Sequence, residues 1–209
     1  MNKLILIGSG GHARPVISAA LLTKKWQIEG IIDLDYKNND HEQILGIPVL
    51  GSFAALENYL NKDLSVFISI GDNYFRKKIY DENLFKKFKY ANIIHPKSII
   101  DNSAVLGELN FIGPFVNIGP EVKIGNNNII NSYANIEHGT KIGNCCQICP
   151  STNICGNCHI YDNVFLGTNS TVIPNITIES DNKIGAGSTI INNILVTGKT
   201  IVGVPGKVL

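Results

Sequence analysis

Residues 124–148 read IGNNNIINSYANIEHGTKIGNCCQI, and an isoleucine opens each hexad of this stretch. An α-helix repeats about every 3.6 residues and a strand about every 2 residues, so neither element accounts for a period of six. Hexapeptide repeats of this kind predict a parallel β-helix, in which three hexads form one triangular coil around aliphatic side chains. The positions that share this phase are Ile94, Ile100, Leu106, Ile112, Ile118, Ile124, Ile130, Ile136, Ile142, Ile148, Ile154, Ile160, Leu166, Val172, Ile178, Ile184, Ile190, Val196 and Val202.

The first ninety residues have a different pattern, in which short apolar segments alternate with amphipathic ones. Apolar segments predict strands over 3–7, 28–32, 47–50 and 66–70, and Pro15 suits the first turn of a helix. We also predict a helix over 53–60 capped by Ser52 and a basic amphipathic helix over 74–87. The alternation predicts a small α/β domain with a mostly parallel sheet over residues 1–92, followed by the β-helix over residues 93–209.

Composition and charge exclude several classes of protein. The chain has 209 residues, 44% of them apolar, and a net charge of +1. This charge favours neither nucleic acid nor an anionic membrane as a partner. No apolar run reaches the roughly 18 residues that a membrane span needs, and the apolar part of the N-terminus is too short for a secretory signal. We therefore expect a cytoplasmic protein.

A glycine-rich loop follows the first predicted strand and precedes the first helix. It reads Gly8-Ser9-Gly10-Gly11-His12, and glycines there let the backbone approach a phosphate at the positive end of the helix. Asp33 and Asp35 follow the second strand, where acidic residues often meet a ribose. The alternatives are a tight strand-to-helix turn for the loop and ordinary turn residues for the two aspartates.

His138 is the candidate catalytic residue of the repeat. Strict alternation from the inward Ile136 would turn His138 inward, whereas a corner of the coil can turn it outward. An outward imidazole, with an unperturbed pKa near ~6.5, can act as a general base. The alternative is a surface histidine. A zinc site formed with His95 and His159, as in β-helical carbonic anhydrases, is disfavoured because the three histidines are widely separated.

Five cysteines lie between positions 145 and 158. Four of them form two C-x-x-C pairs, Cys146 with Cys149 and Cys155 with Cys158, a pattern typical of zinc or redox sites. The repeat offers another interpretation, because Cys146 and Cys158 occupy the hexad position that Thr140 and Thr152 share. Cys149 and Cys155 occupy the position that glycine usually holds. We expect small buried thiols and no metal.

The whole chain resembles a known family. The segments GSGGHA at 8–13, IGDNYFRKKIY at 70–80, NSYANIEH at 131–138, FLGTNS at 165–170 and VGVPGK at 202–207 resemble the hexapeptide-repeat sugar O- and N-acyltransferases. The similarity is greatest to the UDP-4-amino-sugar N-acetyltransferases of bacillosamine and legionaminic acid synthesis. Sialic acid O-acetyltransferases share this layout.

The resemblance implies a Rossmann-like N-terminal domain, a left-handed parallel β-helix, and a homotrimer whose active sites lie between subunits. It implies that the protein transfers acetyl from acetyl-CoA to the 4-amino group of a UDP-4-amino-4,6-dideoxy sugar, with His138 as general base and Glu137 beside it. The nucleotide sugar would be bound by Gly10, Gly11, His12, Asp33, Asp35, Lys37, Gly71 and Asn73. Acetyl-CoA would be bound by Gln147, Gly156, Gly167, Thr168 and Ala186.

Two positions depart from the family pattern. The residue after the catalytic histidine is usually acidic and is Gly139 here, and a second histidine near acetyl-CoA is replaced by Gln147. Glutamine can donate a hydrogen bond but does not titrate. The alternatives that stay open are a sialic-acid-type O-acetyltransferase, an inactive paralogue, and a non-enzymatic β-helical binding protein.

Overall fold

The computed structural model describes residues 1–36, 42–60, 62–82 and 85–209. The chain separates into two compact units, Met1–Pro96 and Lys97–Leu209. The boundary lies four residues after the end of the predicted α/β domain. Each unit is described by itself below.

The first unit is an α/β domain with a six-stranded sheet in the order β3-β4-β2-β1-β5-β6. All neighbouring strands are parallel except β3 and β4. Strand β1 is central because its apolar side chains are buried on both faces. The elements are β1 (Asn2–Ile7), α1 (Ala13–Leu22), β2 (Trp26–Ile32), β3 (Gln43–Ile44), β4 (Ile47–Gly51), a 3₁₀ helix (Phe53–Tyr59), β5 (Ser65–Ile68), α2 (Asn73–Asp81), a 3₁₀ helix (Phe85–Lys87), β6 (Lys89–Tyr90) and β7 (Ile93–Ile94).

Two helices of this unit differ from their predictions. The segment over 53–60 is a 3₁₀ helix, and the Ser52 side chain makes no capping hydrogen bond. The basic segment predicted over 74–87 is interrupted, because α2 ends at Asp81 and Glu82 adopts an extended conformation. Asp72 caps the start of α2 by accepting a hydrogen bond from the Phe75 N–H at 3.0 Å. This cap explains why α2 begins at Asn73.

The second unit is a parallel β-helix whose strands are mostly two residues long and stack on three faces. As far as β23, each strand pairs in parallel with the strand eighteen residues away, as the hexad period predicts. The first face holds β10 (Phe111–Ile112), β13 (Ile129–Ile130), β16 (Gln147–Ile148), β19 (Phe165–Leu166), β22 (Lys183–Ile184), β24 (Thr200–Val202) and β25 (Lys207–Val208). The second face holds β8 (Ile99–Ile100), β11 (Asn117–Ile118), β14 (Asn135–Ile136), β17 (Asn153–Ile154), β20 (Thr171–Val172) and β23 (Thr189–Ile190). The third face holds β9 (Val105–Leu106), β12 (Lys123–Ile124), β15 (Lys141–Ile142), β18 (His159–Ile160) and β21 (Thr177–Ile178).

The core of this unit is the column of aliphatic side chains that the hexad phase predicts. Ile118, Ile136 and Ile154, for example, are stacked on the second face and fully buried. The corners between strands contain residues with φ near +60°, a conformation that suits asparagine and glycine. Asn127, Asn163 and others at the corresponding positions meet this requirement.

The predicted register is wrong in the last coil. Ile178 bridges Ile194, and Ile184 pairs with Ile201, so the inward residues are Ile194 and Ile201. Val196, which the unbroken period placed inside, is 48% exposed. The spacing therefore shortens to sixteen and then seventeen residues. Beyond β24 the next strand, β25, pairs antiparallel with it, so the parallel stacking that sets the register of the other coils ends here.

Across the described parts of the chain, no helix is long and apolar enough to cross a bilayer.

Candidate functional site

The first unit contains a cavity of about 490 Å³ at the carboxyl ends of its central strands. Gly8 follows β1, Asp33 follows β2 and Gly71 follows β5, so these residues meet at one edge of the parallel sheet. The other lining residues are Gly10, Leu34, Asp35, Phe53, Ile70, Phe75, Lys78, Ile79 and Glu82. The cavity brings together four of the predicted nucleotide-sugar ligands: Gly10, Asp33, Asp35 and Gly71.

The glycine-rich loop leaves open space and backbone donors at the start of α1. A Cβ atom added at Gly10 or Gly11 would meet no atom within 4 Å. Within the described residues, the N–H groups of Gly10 and Gly11 donate no hydrogen bond. An anion placed at this loop would therefore meet unengaged N–H groups together with the positive end of the helix dipole.

Asp33 closes the glycine-rich loop onto the end of β2. One carboxylate oxygen accepts a hydrogen bond from the Ser9 N–H at 2.6 Å, and the other accepts from the Asp35 N–H at 2.8 Å. Burial raises the pKa of Asp33, but these hydrogen bonds and one from the Ser9 side chain outweigh it and hold the pKa below its usual range. Asp33 is thus an ionised structural clamp, while the Asp35 carboxylate also lines the cavity.

His12, the residue before α1, is neutral at physiological pH. Burial, and secondly the positive charge of Arg76, lower the pKa of His12 from 6.5 to about 3. A neutral imidazole can both donate and accept a hydrogen bond. His12 does not carry positive charge into the site.

Arg76 is a buried cation of this region that sequence reasoning did not single out. It is only 1% exposed, and its guanidinium donates to the Gly71 carbonyl at 3.0 Å and to Asn73 Oδ1 at 2.8 Å. Asn73 therefore helps to hold Arg76 in place. A basic residue one turn into an amphipathic helix is usually solvated, so the sequence carried no signal for its burial. The predicted ligand Lys37 lies outside the described residues.

In the β-helix, His138 lies at an exposed corner after β14, with its ring over Gly156 of the next coil. A Cβ atom added at Gly156 would lie 2.6 Å from both Cε1 and Nε2 of the imidazole. The outward interpretation of His138 is therefore correct. The N–H of Gly156 donates no backbone hydrogen bond within the described residues. Pro120 and Pro174, at the equivalent positions of other coils, have no N–H at all, so this donor is not part of the coil-to-coil ladder.

The residues on either side of His138 have different constraints. Glu137 is half-buried and accepts a hydrogen bond from Asn135 Nδ2 at 2.8 Å. Within the described residues, no hydrogen bond joins Glu137 to the His138 imidazole. Gly139 has a φ of +67°, and the Oδ1 atom of Asn157 occupies the place where its Cβ would be. The corner therefore has no side chain directly after His138.

The predicted acetyl-CoA ligands divide between two corners of the prism. Gly156 lies with His138 at the corner that follows the second face. Gln147 lies on the first face, and Gly167, Thr168 and Ala186 lie at the corner that follows it. Gly167 packs closely against the Ala186 backbone, since an added Cβ would lie 2.6 Å from its nitrogen. One copy of the chain does not bring these residues together at a single corner.

The cysteines are free thiols built into the corners. The Cys146 thiol donates to the Tyr161 carbonyl at 3.0 Å, and the Cys158 thiol donates to the Ile173 carbonyl at 3.2 Å. The Thr140 hydroxyl makes the same kind of contact, to the Cys155 carbonyl at 3.0 Å. Burial raises the pKa of Cys149 to about 11. Among the described residues, no group of three histidine, cysteine or acidic side chains could hold a metal ion.

The comparisons with known families agree with both halves of the fold. Residues 3–83 match the model of the PglD N-terminal domain, and residues 103–138 and 157–192 match the bacterial transferase hexapeptide model of six repeats. A glycine-lined cavity in an α/β domain, followed by hexapeptide coils with an exposed histidine, defines the class. The chain belongs to the bacterial hexapeptide-repeat sugar acyltransferases that carry a PglD-type N-terminal domain.

Similar proteins within this family include N-acetyltransferases with known structures. PerB from Caulobacter crescentus, solved with CoA and GDP-perosamine, is 31% identical, with a TM-score of 0.92 over 100% of this chain and 98% of that one. The acetyltransferase domain of PglB from Neisseria gonorrhoeae is 26% identical, with a TM-score of 0.90 over the full length of both chains. A UDP-N-acetylbacillosamine N-acetyltransferase from Bacillus subtilis is 27% identical over 52% of this chain, and the match spans half of that relative's length.

Proposed function

We propose that the protein is an acetyl-CoA-dependent N-acetyltransferase that acetylates the 4-amino group of a nucleotide-linked 4-amino-4,6-dideoxy sugar. The observation that carries this proposal is the corner formed by His138 and Gly156. There an exposed imidazole lies against a backbone whose N–H is unengaged in the ladder. A base and an oxyanion donor side by side are what acyl transfer to an amine requires.

His138 takes a proton from the amine as the nitrogen attacks the thioester carbonyl. The Gly156 N–H stabilises the negative charge that develops on the carbonyl oxygen. His138 then returns the proton to the departing CoA sulfur. No covalent enzyme intermediate is needed, because the two substrates can react directly once they are held together.

The nucleotide sugar binds in the cavity of residues 1–92, with its diphosphate at the Gly10 and Gly11 N–H groups. Asp35 and Lys78 line the cavity, and Asp33 keeps the loop in place. Acetyl-CoA binds to the β-helix of residues 93–209. Complexes of PerB with CoA and GDP-perosamine and of the PglB domain with acetyl coenzyme A support the choice of these two kinds of ligand.

We propose a homotrimer in which each active site combines corners of two subunits. The support is the separation of His138 and Gly156 from Gly167, Thr168 and Ala186 on the surface of one copy. A neighbouring copy can bring its first-face corner to the His138 corner. Because acetyl-CoA and nucleotide sugars are made in the cytoplasm, the cytoplasm is the proposed location.

A thiol-release assay tests the proposed reaction. The purified protein is incubated with acetyl-CoA and one acceptor at a time: UDP-, GDP- or dTDP-linked 4-amino-4,6-dideoxy sugars, or free or CMP-linked sialic acid. Rapid release with an amino-sugar nucleotide is expected, and His138→Ala should lower the turnover by ~10²-fold or more. Release with sialic acids alone would replace the proposal by an O-acetyltransferase. Unchanged turnover in His138→Ala would exclude His138 as the base.

A further inference from the structure

A chain of side-chain hydrogen bonds runs along the outside of the second face and ends at Glu137. The Asn117 Nδ2 group donates to Asn135 Oδ1 at 2.8 Å, and Asn135 Nδ2 donates to Glu137 Oε1 at 2.8 Å. Asn117 and Asn135 are register partners in adjacent coils. The carboxylate at the end of the chain directly precedes His138.

The side chains that take part determine the donor-to-acceptor direction of these two hydrogen bonds. An ionised carboxylate only accepts hydrogen bonds, so Asn135 must turn its NH₂ group toward Glu137. Its Oδ1 atom then faces Asn117, which supplies the matching NH₂ group. Two amides in series thus fix one oxygen of a half-buried carboxylate, and a hydrogen bond to an ionised acceptor is stronger than a neutral one.

In the proposed reaction, the Glu137 carboxylate can bind the substrate amine in its protonated form. An alkyl amine is largely an ammonium ion at neutral pH, and its acetylation removes two protons. One proton is released to solvent before attack, and His138 takes the second and returns it to sulfur as the C–N bond forms and the C–S bond breaks. The balance is R–NH₃⁺ + CH₃CO–S–CoA → R–NH–COCH₃ + CoA–SH + H⁺. Among residues 135–139, Glu137 is the carboxylate that can pair with the incoming ammonium.

We infer that Asn135 is a positioning residue that holds the Glu137 carboxylate for the substrate amine, with Asn117 fixing the orientation of the Asn135 amide. This inference rests on the proposed function. In this role the amides of Asn117 and Asn135 help to bind the amino group of the sugar and do not help to bind acetyl-CoA. The effect of removing either amide should therefore appear in the KM of the amino-sugar nucleotide.

The test is a double-mutant cycle with steady-state kinetics on the full chain. Asn135→Ala should raise the KM of the amino-sugar nucleotide about tenfold, on the scale of a lost hydrogen bond to a charged group, with the KM of acetyl-CoA unchanged. Asn117→Ala should raise the same KM by about threefold, because the Asn135 NH₂ group can still donate to Glu137 but is no longer oriented by Asn117. In the Glu137→Gln background, Asn135→Ala should have no further effect, because both substitutions remove one interaction.

A charge variant gives a readout that a structural role would not produce. Asn135→Asp places a second carboxylate against Glu137 and repels it, so the KM of the amino-sugar nucleotide should rise more than in Asn135→Ala while the KM of acetyl-CoA stays unchanged. Asn153→Ala is the matched control. Asn153 is the next register partner of Asn135, but its amide donates to the Ser151 carbonyl at 3.3 Å and not to a carboxylate. Its KM values should stay within about twofold of the wild type.

Two results would overturn the inference while leaving the proposed function intact. One is additivity of Asn135→Ala and Glu137→Gln in an active enzyme, which would show that Asn135 does not act through Glu137. The other is an equal rise in the KM of acetyl-CoA. If the wild-type protein releases no thiol with any amino-sugar nucleotide, the proposed function itself fails.

Discussion

Replacement of Gly156 by alanine tests the catalytic corner most directly. The φ of Gly156 lies outside the left-handed region, so its backbone accommodates alanine without strain. The added Cβ would lie 2.6 Å from Cε1 and Nε2 of His138, whereas ordinary contact begins at 3.4 Å. The imidazole must therefore move by about 0.8 Å, the difference between these two distances.

A displacement of this size is large for a general base. Misplacement of a reacting group by about 1 Å can cost about 10²-fold in rate, so kcat/KM should fall by about that factor. Alanine keeps the main-chain N–H at position 156, so the oxyanion donor is retained. The thermal stability should change little, because His138 is exposed and its ring can swing outward.

Steady-state thiol release, with circular dichroism to check folding, measures these effects. The control is the same substitution in a His138→Ala background, where the added methyl meets no ring and should cause no further loss. Full activity of Gly156→Ala would refute the argument, because it would mean that the working imidazole does not lie over Gly156. A further loss in the double variant would also refute it, because the methyl would then act on something other than the ring.

Two further predictions concern pH and the thiols. The pKa of His12 is about 3 in the folded protein and near 6.5 in the unfolded chain, so the unfolded state binds more protons between these values. The melting temperature should therefore fall as the pH drops from 6.5 towards 3, and His12→Gln should reduce this dependence; parallel curves would contradict the burial of His12. Cys146→Ser and Cys158→Ser should each cost about 1 kcal/mol in urea denaturation, with the KM of acetyl-CoA unchanged. Metal analysis should find no stoichiometric zinc, and zinc that is lost with either thiol would contradict their structural role.

The sequence predicted the β-helix well because a six-residue period has few structural solutions. The stacked interior requires an aliphatic residue at each hexad, and Ile118, Ile136 and Ile154 occupy these places as expected. The prediction failed where that requirement weakens. In the last coil Val196 leaves the interior and Ile194 replaces it, at the point where parallel stacking gives way to the antiparallel pair of β24 and β25.

The candidate site was predicted less completely, because side-chain direction at a corner does not follow from alternation. Strand β14 ends at Ile136, so the alternation that would have turned His138 inward no longer applies. The hydrogen bond from Ser9 to Asp33 could not be predicted from the sequence, since the two residues are 24 positions apart along the chain. The burial of Arg76 was also not predicted, because it depends on how α2 packs against the rest of the domain.

The surroundings of His138 suggest why its acidic neighbour precedes it and does not follow it. The position after the histidine has a φ of +67°, and Oδ1 of Asn157 fills the space beside Gly139. An acidic side chain there would have to displace an amide oxygen that repels it. The preceding position has the opposite surroundings, because Asn135 presents an NH₂ group to Glu137. The corner thus disfavours a carboxylate on one side of His138 and stabilises it on the other, so Gly139→Asp should not substitute for the loss of Glu137.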